Sequence, residues 1–418
     1  MAANLWGKVY HGDRYAGVLE QRPGGGYAFT YDSGYLAADG PAIAHTLPLQ
    51  EAPHTTEYGL PAFFDNLVAE GWLRNAQARA LGVSRDNRFA LLLAFGNDCA
   101  GAVSVIDPDP EGQLRIDPDD VETVAALSGR ASLSGVQAKV PVVMGARGFR
   151  HTEARELSTH IAKLPSGELS DIVDLEWLST AAAAALLPEE PHVEMTRGGV
   201  EGVADDALII KRFDRTPART RRHFEEFNQL LGHVSEAKYD GSYDVMGRFI
   251  RSTPGCVPAE ADRLYRRVLA CLLLGNTDAH LKNFAMFHTG DGLRLAPVYD
   301  MVASAYHRQF QTLALSIAGA TDIALGDLQP KHLVDLGPAY DLPDGAIRLA
   351  VEDIGRRMPQ AKDAVNETTD VHPGMRDKII ELMDKRWNGA FASIGQLLSK
   401  RRGTGGKQKG LPKGGSRR

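Results

Sequence analysis

The sequence predicts an α+β protein with two lobes, a small one of mixed strands and helices followed by a larger helical one, and a β-rich subdomain ahead of both. Three patterns predict this class. Apolar and polar residues alternate through residues 5–36, strand-like runs alternate with one helical run through 139–211, and helical periodicity dominates from Thr220 onward. At 418 residues the chain exceeds one ordinary core, which favours several domains.

The N-terminal subdomain is predicted at 1–125. Turn signals at His11–Asp13 and Arg22–Gly26 divide the alternating stretch into a meander of short strands. The triple glycine could suggest a phosphate loop, but no helix follows it, so we favour a hairpin turn. A helical run from Leu60 to Leu73 comes next, and the polar, proline-rich segment Asp107–Gly112 marks the end of the subdomain.

The small lobe is predicted at 126–216 and the helical lobe at 217–399. Strands are predicted in the small lobe at 139–143, 160–164 and 207–211, with an alanine-rich helix at 174–187. In the helical lobe one helix face carries apolar residues just before a polar segment, namely Leu264, Val268, Cys271 and Leu272.

Composition indicates a soluble protein of the reducing cytoplasm. Hydrophobic residues make up 43% and charged residues 24%, which are ordinary globular values. No stretch reaches the roughly 18 apolar residues of a membrane span, and Met1–Lys8 does not resemble a signal peptide. The three cysteines, Cys99, Cys256 and Cys271, are scattered and lack the spacing of zinc ligands.

Positive charge is concentrated at the C-terminus. Residues 400–418 carry +8 with no acidic residue, whereas the rest of the chain carries −14. This glycine-rich composition predicts a disordered basic tail that contacts polyanions without specificity. A solubilising tail without a role explains the composition equally well.

The most informative segment is Gly275–Phe284, followed by Pro297–Met301. It places Asp278, then Asn283 five residues later, then Asp300 a further 17 residues on. Phosphoryl transfer needs a carboxylate to orient and deprotonate the attacking hydroxyl, and oxygen ligands that hold Mg²⁺ against the ATP phosphates. Asp278 suits the first role, and Asn283 and Asp300 suit the second.

The Asp-to-Asn interval equals that of the protein-kinase catalytic loop, although the arginine that usually precedes the Asp is missing. A small mixed lobe before a larger helical lobe is also the order of a bilobal protein-kinase-like fold. The structural alternative is a helix end capped by Thr277 or Asp278, with Asp300 closing a strand.

Upstream residues complete a phosphate site in the same interpretation. Ser132–Val142 is a small serine- and glycine-containing turn that leads into a strand, and its backbone N–H groups could face phosphate oxygens, although a plain hairpin turn fits as well. Lys163 lies in an apolar strand and should extend to solvent unless it meets an anion there. In a kinase it would reach the α- and β-phosphates, with Glu176 on the next helix as its ion-pair partner. Residues 208–215 form a strand end or an interlobe hinge whose backbone binds adenine beside Phe213.

Five ordered motifs carry a resemblance to the HipA-type serine/threonine kinases, toxins of bacterial toxin–antitoxin pairs. They are Ser132–Lys139, Ser158–Pro165, Arg212–Arg215, Gly275–Phe284 and Val298–Asp300. Phe64–Gly71 also resembles the N-terminal subdomain motif of that family. The resemblance covers the chain from Leu5 to about Leu398.

The resemblance implies ATP and Mg²⁺ as cofactors, Asp278 as catalytic base, and Asn283 and Asp300 as Mg²⁺ ligands. Ser132 and Ser134 match a regulatory motif in which autophosphorylation ejects the loop and inactivates the kinase. Charge repulsion accounts for the ejection, because a phosphate of about −2 charge cannot stay beside the phosphates of ATP. Nucleotide contacts are implied at Gly135, Gln137, Lys139, Lys163, Lys211, Phe213, His280 and Lys282.

The resemblance also implies partners. The substrate would be a serine of a translation protein, usually an aminoacyl-tRNA synthetase, and its phosphorylation would cause growth arrest or persistence. A small helix-turn-helix antitoxin of the HipB kind would bind this protein and DNA together. Two other functions remain open from the residues: a co-repressor scaffold that binds the antitoxin on DNA, and a small-molecule kinase of the aminoglycoside or choline type.

Overall fold

The computed structural model describes residues 5–109, 123, 127, 137–153, 156–165, 170–203, 206–372 and 374–405. Three antiparallel sheets and a set of helices make up this part of the chain. Two large hydrophobic cores lie between them, one shared by the first two sheets and one within the helical lobe.

The first sheet is the meander predicted at the N-terminus. Its strands are β1 (Trp6–His11), β2 (Arg14–Gln21), β3 (Tyr27–Tyr31), β4 (His54–Thr56) and β5 (Val103–Ile106), in the order β4-β3-β2-β1-β5. The triple glycine turns the chain between β2 and β3, where Gln21 pairs with Tyr27. The hairpin interpretation of that segment is therefore confirmed.

Four helices cover one side of this sheet: α1 (Ser33–Ala37), α2 (Ala62–Asn66), α3 (Gly71–Leu81) and α4 (Arg88–Phe95). Their apolar residues meet the sheet in an aromatic cluster of Phe29, Phe63, Phe64 and Phe89, each at most 1% exposed. The helical run predicted from Leu60 is broken between α2 and α3, because Gly71 has a φ of 52°.

The second sheet forms the small lobe. Its strands are β6 (Lys139–Gly145), β7 (Gly148–His151), β8 (His160–Lys163), β9 (Met195–Gly198) and β10 (Ala207–Lys211), in the order β7-β6-β8-β10-β9. Helix α5 (Ile172–Leu186) connects β8 to β9. Strands at the three apolar runs and a helix at the alanine-rich run are confirmed, because their periodicity and composition act locally.

The helical lobe contains α6 (Phe227–Leu230), α7 (Tyr243–Ser252), α8 (Ala259–Leu274), α9 (Pro330–Leu336), α10 (Asp344–Glu367), α11 (Met375–Arg386) and α12 (Ile394–Gly405). It also holds the small third sheet, in which β11 (Phe224–Glu226), β12 (Ala285–Thr289) and β13 (Gly292–Leu295) are adjacent in that order. Among the described residues no helix is both long and apolar enough to cross a membrane.

Helix α8 is the buried axis of this lobe. Leu264, Val268 and Leu272 are fully buried on it, as their spacing predicts. The helix ends at Gly275, whose φ of 82° is the left-handed conformation that glycine adopts at helix C-termini. The alternative in which Thr277 or Asp278 caps a helix is therefore wrong, and the polar segment begins as a loop directly after α8.

Helix α12 extends to Gly405, six residues into the segment for which composition predicts disorder. The prediction of a disordered tail is therefore wrong for 400–405, because the apolar start of α12 packs on the helical lobe at Ile394 and Leu398 and the helix continues beyond it. Residues 406–418 lie outside the described residues.

Candidate active site

The polar segment after α8 and the segment after β13 meet the small lobe at Lys163, the last residue of β8. The Lys163 Nζ donates to both Glu176 carboxylate oxygens, at 2.7 and 2.8 Å, and to Asp300 Oδ1 at 2.5 Å. Its side chain is only 9% exposed. Burial alone would lower the pKa of Lys163, but the two carboxylates raise it above its ordinary value, so this ammonium stays charged.

Asp300 and Asn283 form the second part of the site. Asn283 Nδ2 donates to Asp300 Oδ2 at 2.5 Å, and the His280 backbone N–H donates to Asn283 Oδ1 at 2.9 Å. Burial opposes the ionised form of Asp300, yet Lys163 holds its pKa below the usual range. The Asp300 side chain is 38% exposed, so one face of this oxygen-rich pair is open to a ligand.

Asp300 also has a backbone φ of 57°, in the left-handed region that aspartate tolerates better than most residues. The Asn276 Nδ2 donates to the Asp300 carbonyl oxygen at 3.0 Å and holds this turn in place. The expectation that Asp300 closes a strand is wrong, because β13 ends at Leu295 and Asp300 lies in the turn beyond it.

Asp278 lies on the solvent side of the same loop. Its Oδ1 accepts a hydrogen bond of 3.0 Å from the Tyr239 hydroxyl. Solvent reaches the side chain, but neighbouring protein atoms remove enough of its hydration to raise the pKa of the carboxyl. The Tyr239 hydrogen bond and the Lys238 charge act in the opposite direction, and the Asp300 charge adds to the increase.

A second buried lysine faces Lys163 across two strands. Lys139 on β6 pairs directly with Lys163 on β8 in the sheet register. Burial, followed by the Lys163 charge, lowers the pKa of Lys139 to about 8. Two like charges opposite each other weaken a sheet. The structure thus brings two lysines together at the point where Glu176 and Asp300 also lie.

The other predicted nucleotide contacts fall into two groups: residues that lie near the site, and two lysines whose ammonium groups pair elsewhere. The Gln137 Nε2 donates to the Leu164 carbonyl at 2.9 Å, directly after Lys163. Phe213 packs on Tyr299, whose hydroxyl donates to the Lys282 carbonyl at 2.7 Å. His280 is buried between Asp278 and Asn283, and burial lowers its pKa to about 3, so the ring is neutral.

Two predicted lysines direct their ammonium groups elsewhere. Lys211 is exposed and pairs with Glu194 at 2.8 Å. Lys282 is buried and pairs with Glu70 of the N-terminal subdomain, with Glu226 3.5 Å away. Nucleotide binding by either side chain stays a prediction. Ser132, Ser134 and Gly135 lie outside the described residues.

Sequence reasoning missed two residues at this site. Glu70 accepts hydrogen bonds from Lys282, from Lys238 at 3.0 Å and from the Ser235 hydroxyl at 2.8 Å. Glu70 lies inside the N-terminal motif Phe64–Gly71, so the sequence drew attention to this segment. Nothing in the sequence indicates that Lys282 is the partner of Glu70. For Tyr239 the sequence carries no signal, because its contact with Asp278 joins the end of a short 3-10 helix (Ser235–Tyr239) to a loop 39 residues further along the chain.

The Arg212–Arg215 motif forms a buried ionic cluster under the hinge. Arg215 donates to Asp98 at 2.6 Å, Arg212 donates to Asp214 at 2.7 Å, and the Ser158 hydroxyl donates to Asp98 at 2.6 Å. All these side chains are less than a tenth exposed. The motif thus fixes the segment after β10 to the loop before β5.

Comparison with known proteins decides the family. The model of the HipA N-terminal domain matches residues 7–106, and that of the HipA-like C-terminal domain matches residues 131–369. The chain belongs to the HipA family. The resemblance drawn from the five motifs is confirmed.

Individual relatives support this family assignment. The serine/threonine-protein kinase toxin HipA of Shewanella oneidensis is 29% identical over 355 residues, 76% of this chain and 79% of that protein. Y4dM of Sinorhizobium fredii is 30% identical over 344 residues, 78% of this chain and 81% of that one.

A solved structure confirms the predicted fold class. It is the complex of Shewanella oneidensis HipA, HipB and operator DNA, which matches with a TM-score of 0.76 at 24% identity, over 93% of this chain and 99% of the other. The fold is therefore bilobal and protein-kinase-like, with a β-rich N-terminal subdomain of the HipA kind.

The buried ionic cluster generates a prediction about stability. Asp98→Asn removes one charge and leaves Arg212 and Arg215 with too few carboxylate partners. Breaking a buried pair in this way costs about 3–5 kcal/mol. We expect a clearly lower midpoint of urea unfolding, monitored by circular dichroism.

The matched control is Glu194→Gln, which breaks the exposed pair with Lys211 and should change the free energy of unfolding by at most about 1 kcal/mol. Equal midpoints for Asp98→Asn and Glu194→Gln would contradict a stabilising role of the cluster.

Proposed function

We propose that this HipA-family protein is an ATP-dependent serine/threonine protein kinase that acts as a toxin. The observation that carries the proposal is the contact of Lys163 with Glu176 and Asp300, with Asn283 hydrogen-bonded to the same aspartate. In protein kinases a lysine on a strand, its helix-borne glutamate and two Mg²⁺ ligands occupy these relative positions.

Each residue has a proposed role in this reaction. Lys163 binds the α- and β-phosphates, and Glu176 keeps its ammonium in place. Asn283 and Asp300 would hold Mg²⁺, which neutralises charge on the phosphate oxygens. An aspartate carboxylate and an amide oxygen are hard ligands of the type that Mg²⁺ prefers, so this donor set fits the ion.

Asp278 is the proposed catalytic base. It lies on the solvent side of the loop, where a protein hydroxyl could approach, and it must be ionised to accept the proton. Tyr239 donates to one of its oxygens and leaves the other available to the hydroxyl. Tyr239 is therefore proposed as a residue that orients the base.

The remaining nucleotide contacts support the same site. Lys139 adds positive charge next to Lys163, and Phe213 packs on Tyr299 at the hinge side of the site. Gly135 and Gln137 would belong to the loop over the phosphates, and the loop residues His280 and Lys282 would approach the nucleotide through their backbone. Lys211 would contribute through the hinge backbone, since its side chain binds Glu194.

The biological role follows from the family by similarity. We propose a serine on a translation protein, an aminoacyl-tRNA synthetase, as the substrate, and growth arrest or persistence as the outcome. A HipB-like antitoxin and, through it, operator DNA are proposed partners, because the similar solved structure is a complex of HipA with HipB and DNA. Residence in the cytoplasm is part of this proposal.

A second candidate function is a scaffold that binds antitoxin on DNA without catalysis, which the same complex favours. The contacts among Lys163, Glu176, Asn283 and Asp300 favour the enzyme. A scaffold has no need to keep side chains of opposite charge packed against each other in this way. A small-molecule kinase is favoured by no particular contact in the site.

Two substitutions test the kinase. Asp278→Asn removes the base without changing side-chain size, and Asp300→Asn removes a charged Mg²⁺ ligand and a partner of Lys163. We expect both to abolish ATP-dependent phosphoryl transfer, measured with radiolabelled ATP, and only Asp300→Asn to weaken Mg²⁺-dependent ATP binding as well. Neither variant should arrest growth on expression, whereas the wild type should.

Thermal unfolding of each variant shows that the fold is retained. Arrest of growth by Asp278→Asn at the wild-type level would mean that toxicity does not depend on kinase chemistry.

Tyr239→Phe tests the orientation of the base. The lost hydrogen bond stabilised the ionised carboxylate, so the pKa of Asp278 should rise further in the variant. Since only the ionised form accepts a proton, the acidic limb of the plot of kcat against pH should move to higher pH. Tyr58→Phe, at a side chain that is 89% exposed, serves as the control. A loss of kcat at every pH without movement of that limb would argue against this role.

Autophosphorylation provides the test of regulation. Incubation of phosphate-free protein with Mg·ATP should place phosphate on Ser132 or Ser134, as read by mass spectrometry, and activity should fall as the phosphate accumulates. The variant with both serines changed to alanine should stay active. Phosphate found only at other positions would remove the regulatory loop from the proposal.

A further inference from the structure

A cluster of metal-binding residue types lies apart from the candidate active site, where the N-terminal sheet meets the third sheet. One ligand atom each from His223, Glu225 and His288 lies within 4.8 Å of the other two. The His288 Nε2 is 2.8 Å from Glu225 Oε1, and the rings of His223 and His288 are 4.6 Å apart. His11, at the end of β1, adds a third ring 5.0 Å from His223.

The backbone holds these side chains together. Glu225 is on β11 and His288 is on the paired strand β12, and the His288 N–H donates to the His223 carbonyl at 3.1 Å. The His45 N–H, from the N-terminal subdomain, donates to Glu225 Oε1 at 2.6 Å. The cluster is therefore built from both parts of the protein and does not depend on chance surface rotamers.

Buried polar atoms in the cluster lack partners. Glu225 is fully buried, and its Oε2 accepts no hydrogen bond from any residue that the structure describes. Likewise His223 is 7% exposed, and its Nε2 makes no hydrogen bond within the described residues. A buried carboxylate with an unsatisfied oxygen is costly, and native proteins normally satisfy such atoms with a hydrogen bond, a water or an ion.

Three imidazole rings lie in or beside this cluster. His288 contacts the Glu225 carboxylate, His223 lies beside His288, and His11 lies beside His223. Imidazole nitrogens and a carboxylate are donors to a cation, so the surroundings favour a cation over an anion.

We propose that His223, Glu225 and His288 bind a transition-metal dication of the Zn²⁺ type, with His11 or solvent completing the shell. Two imidazoles and one carboxylate are a ligand set that suits Zn²⁺, whereas Mg²⁺ and Ca²⁺ prefer oxygen ligands alone. A tetrahedral Zn²⁺ with bonds of about 2.0–2.2 Å holds its ligand atoms roughly 3.4 Å apart. On binding, the wider separations would close and the 2.8 Å contact between His288 Nε2 and Glu225 Oε1 would open. The partly exposed His288 side chain allows that movement.

The position suggests what the metal does. Glu225 faces the cluster, and the next residue, Glu226, lies 3.5 Å from the Lys282 ammonium in the candidate catalytic loop. With His11 as the fourth ligand, the metal would join β1 to β11 and β12 and fix the N-terminal subdomain next to that loop. A ligand that binds only the folded state also raises the stability of the folded state.

The test uses the full chain after removal of metals with a chelator. Zn²⁺ is titrated against a chromophoric chelator in the presence of excess Mg²⁺, and we expect one tightly bound Zn²⁺ per chain. Glu225→Gln and His288→Gln should each weaken Zn²⁺ binding at least about tenfold, since even outer-sphere partners of a metal contribute that much. His332→Gln, which changes a histidine on α9, and Asp300→Asn, in the candidate active site, should bind as the wild type does.

Cobalt gives an independent readout on the wild type. Co²⁺ at this site should show the visible bands of a four- or five-coordinate ion without a thiolate charge-transfer band, because Cys99, Cys256 and Cys271 are not ligands. X-ray absorption of the Zn²⁺ form should show nitrogen and oxygen ligands with at least two imidazoles.

These wild-type spectra decide the proposal if a variant fails to fold. Absence of a bound equivalent, a sulfur ligand, or wild-type affinity in folded Glu225→Gln and His288→Gln would overturn it, and the cluster would then be a hydrogen-bonded histidine–glutamate pair.

Discussion

The buried ionic cluster around Asp98 is the constraint on which the rest of the site depends. Arg212 and Arg215 follow the end of β10 in the chain, and both form ion pairs with Asp98 and Asp214 away from solvent. Burial of four charges is costly, and apolar packing would stabilise a hinge as well. What the cluster adds is direction: the charged hydrogen bonds tie this segment to Asp98, and the segment carries Phe213 onto Tyr299 beside Asp300.

Charge compensation organises the candidate active site in the same way. Lys163 lies between Glu176 and Asp300, so neither carboxylate is left unpaired before a ligand binds. For Lys139, opposite Lys163, burial and the Lys163 charge outweigh the nearby carboxylates Asp300 and Glu176, and its pKa falls. A polyanion such as a nucleotide phosphate would supply the negative charge that two adjacent lysines favour. Because its charges are already held in place, the proposed phosphate site would need little rearrangement to take up a nucleotide.

Sequence reasoning succeeded where the signal is local. Periodicity located β8 with Lys163 and α5 with Glu176, and the apolar face of α8 located the loop that follows it. It failed where partners are distant in the chain: Glu70 and Lys282 are 212 positions apart, and no pattern joins them. The cluster of His223, Glu225 and His288 escaped notice for the same reason, since only strand pairing between β11 and β12 brings its members together.

The N-terminal subdomain packs against both lobes around the candidate active site. Val140 and Ile209 of the small lobe share one core with Val9 and Phe29 of the first sheet, so the two cannot separate without exposing it. On the other side, Glu70 binds Lys282 in the loop of the helical lobe. One subdomain therefore contacts both lobes, through apolar packing on one and buried charge on the other. Because displacement of either lobe would break one of these contacts, the N-terminal subdomain restrains the two lobes relative to each other.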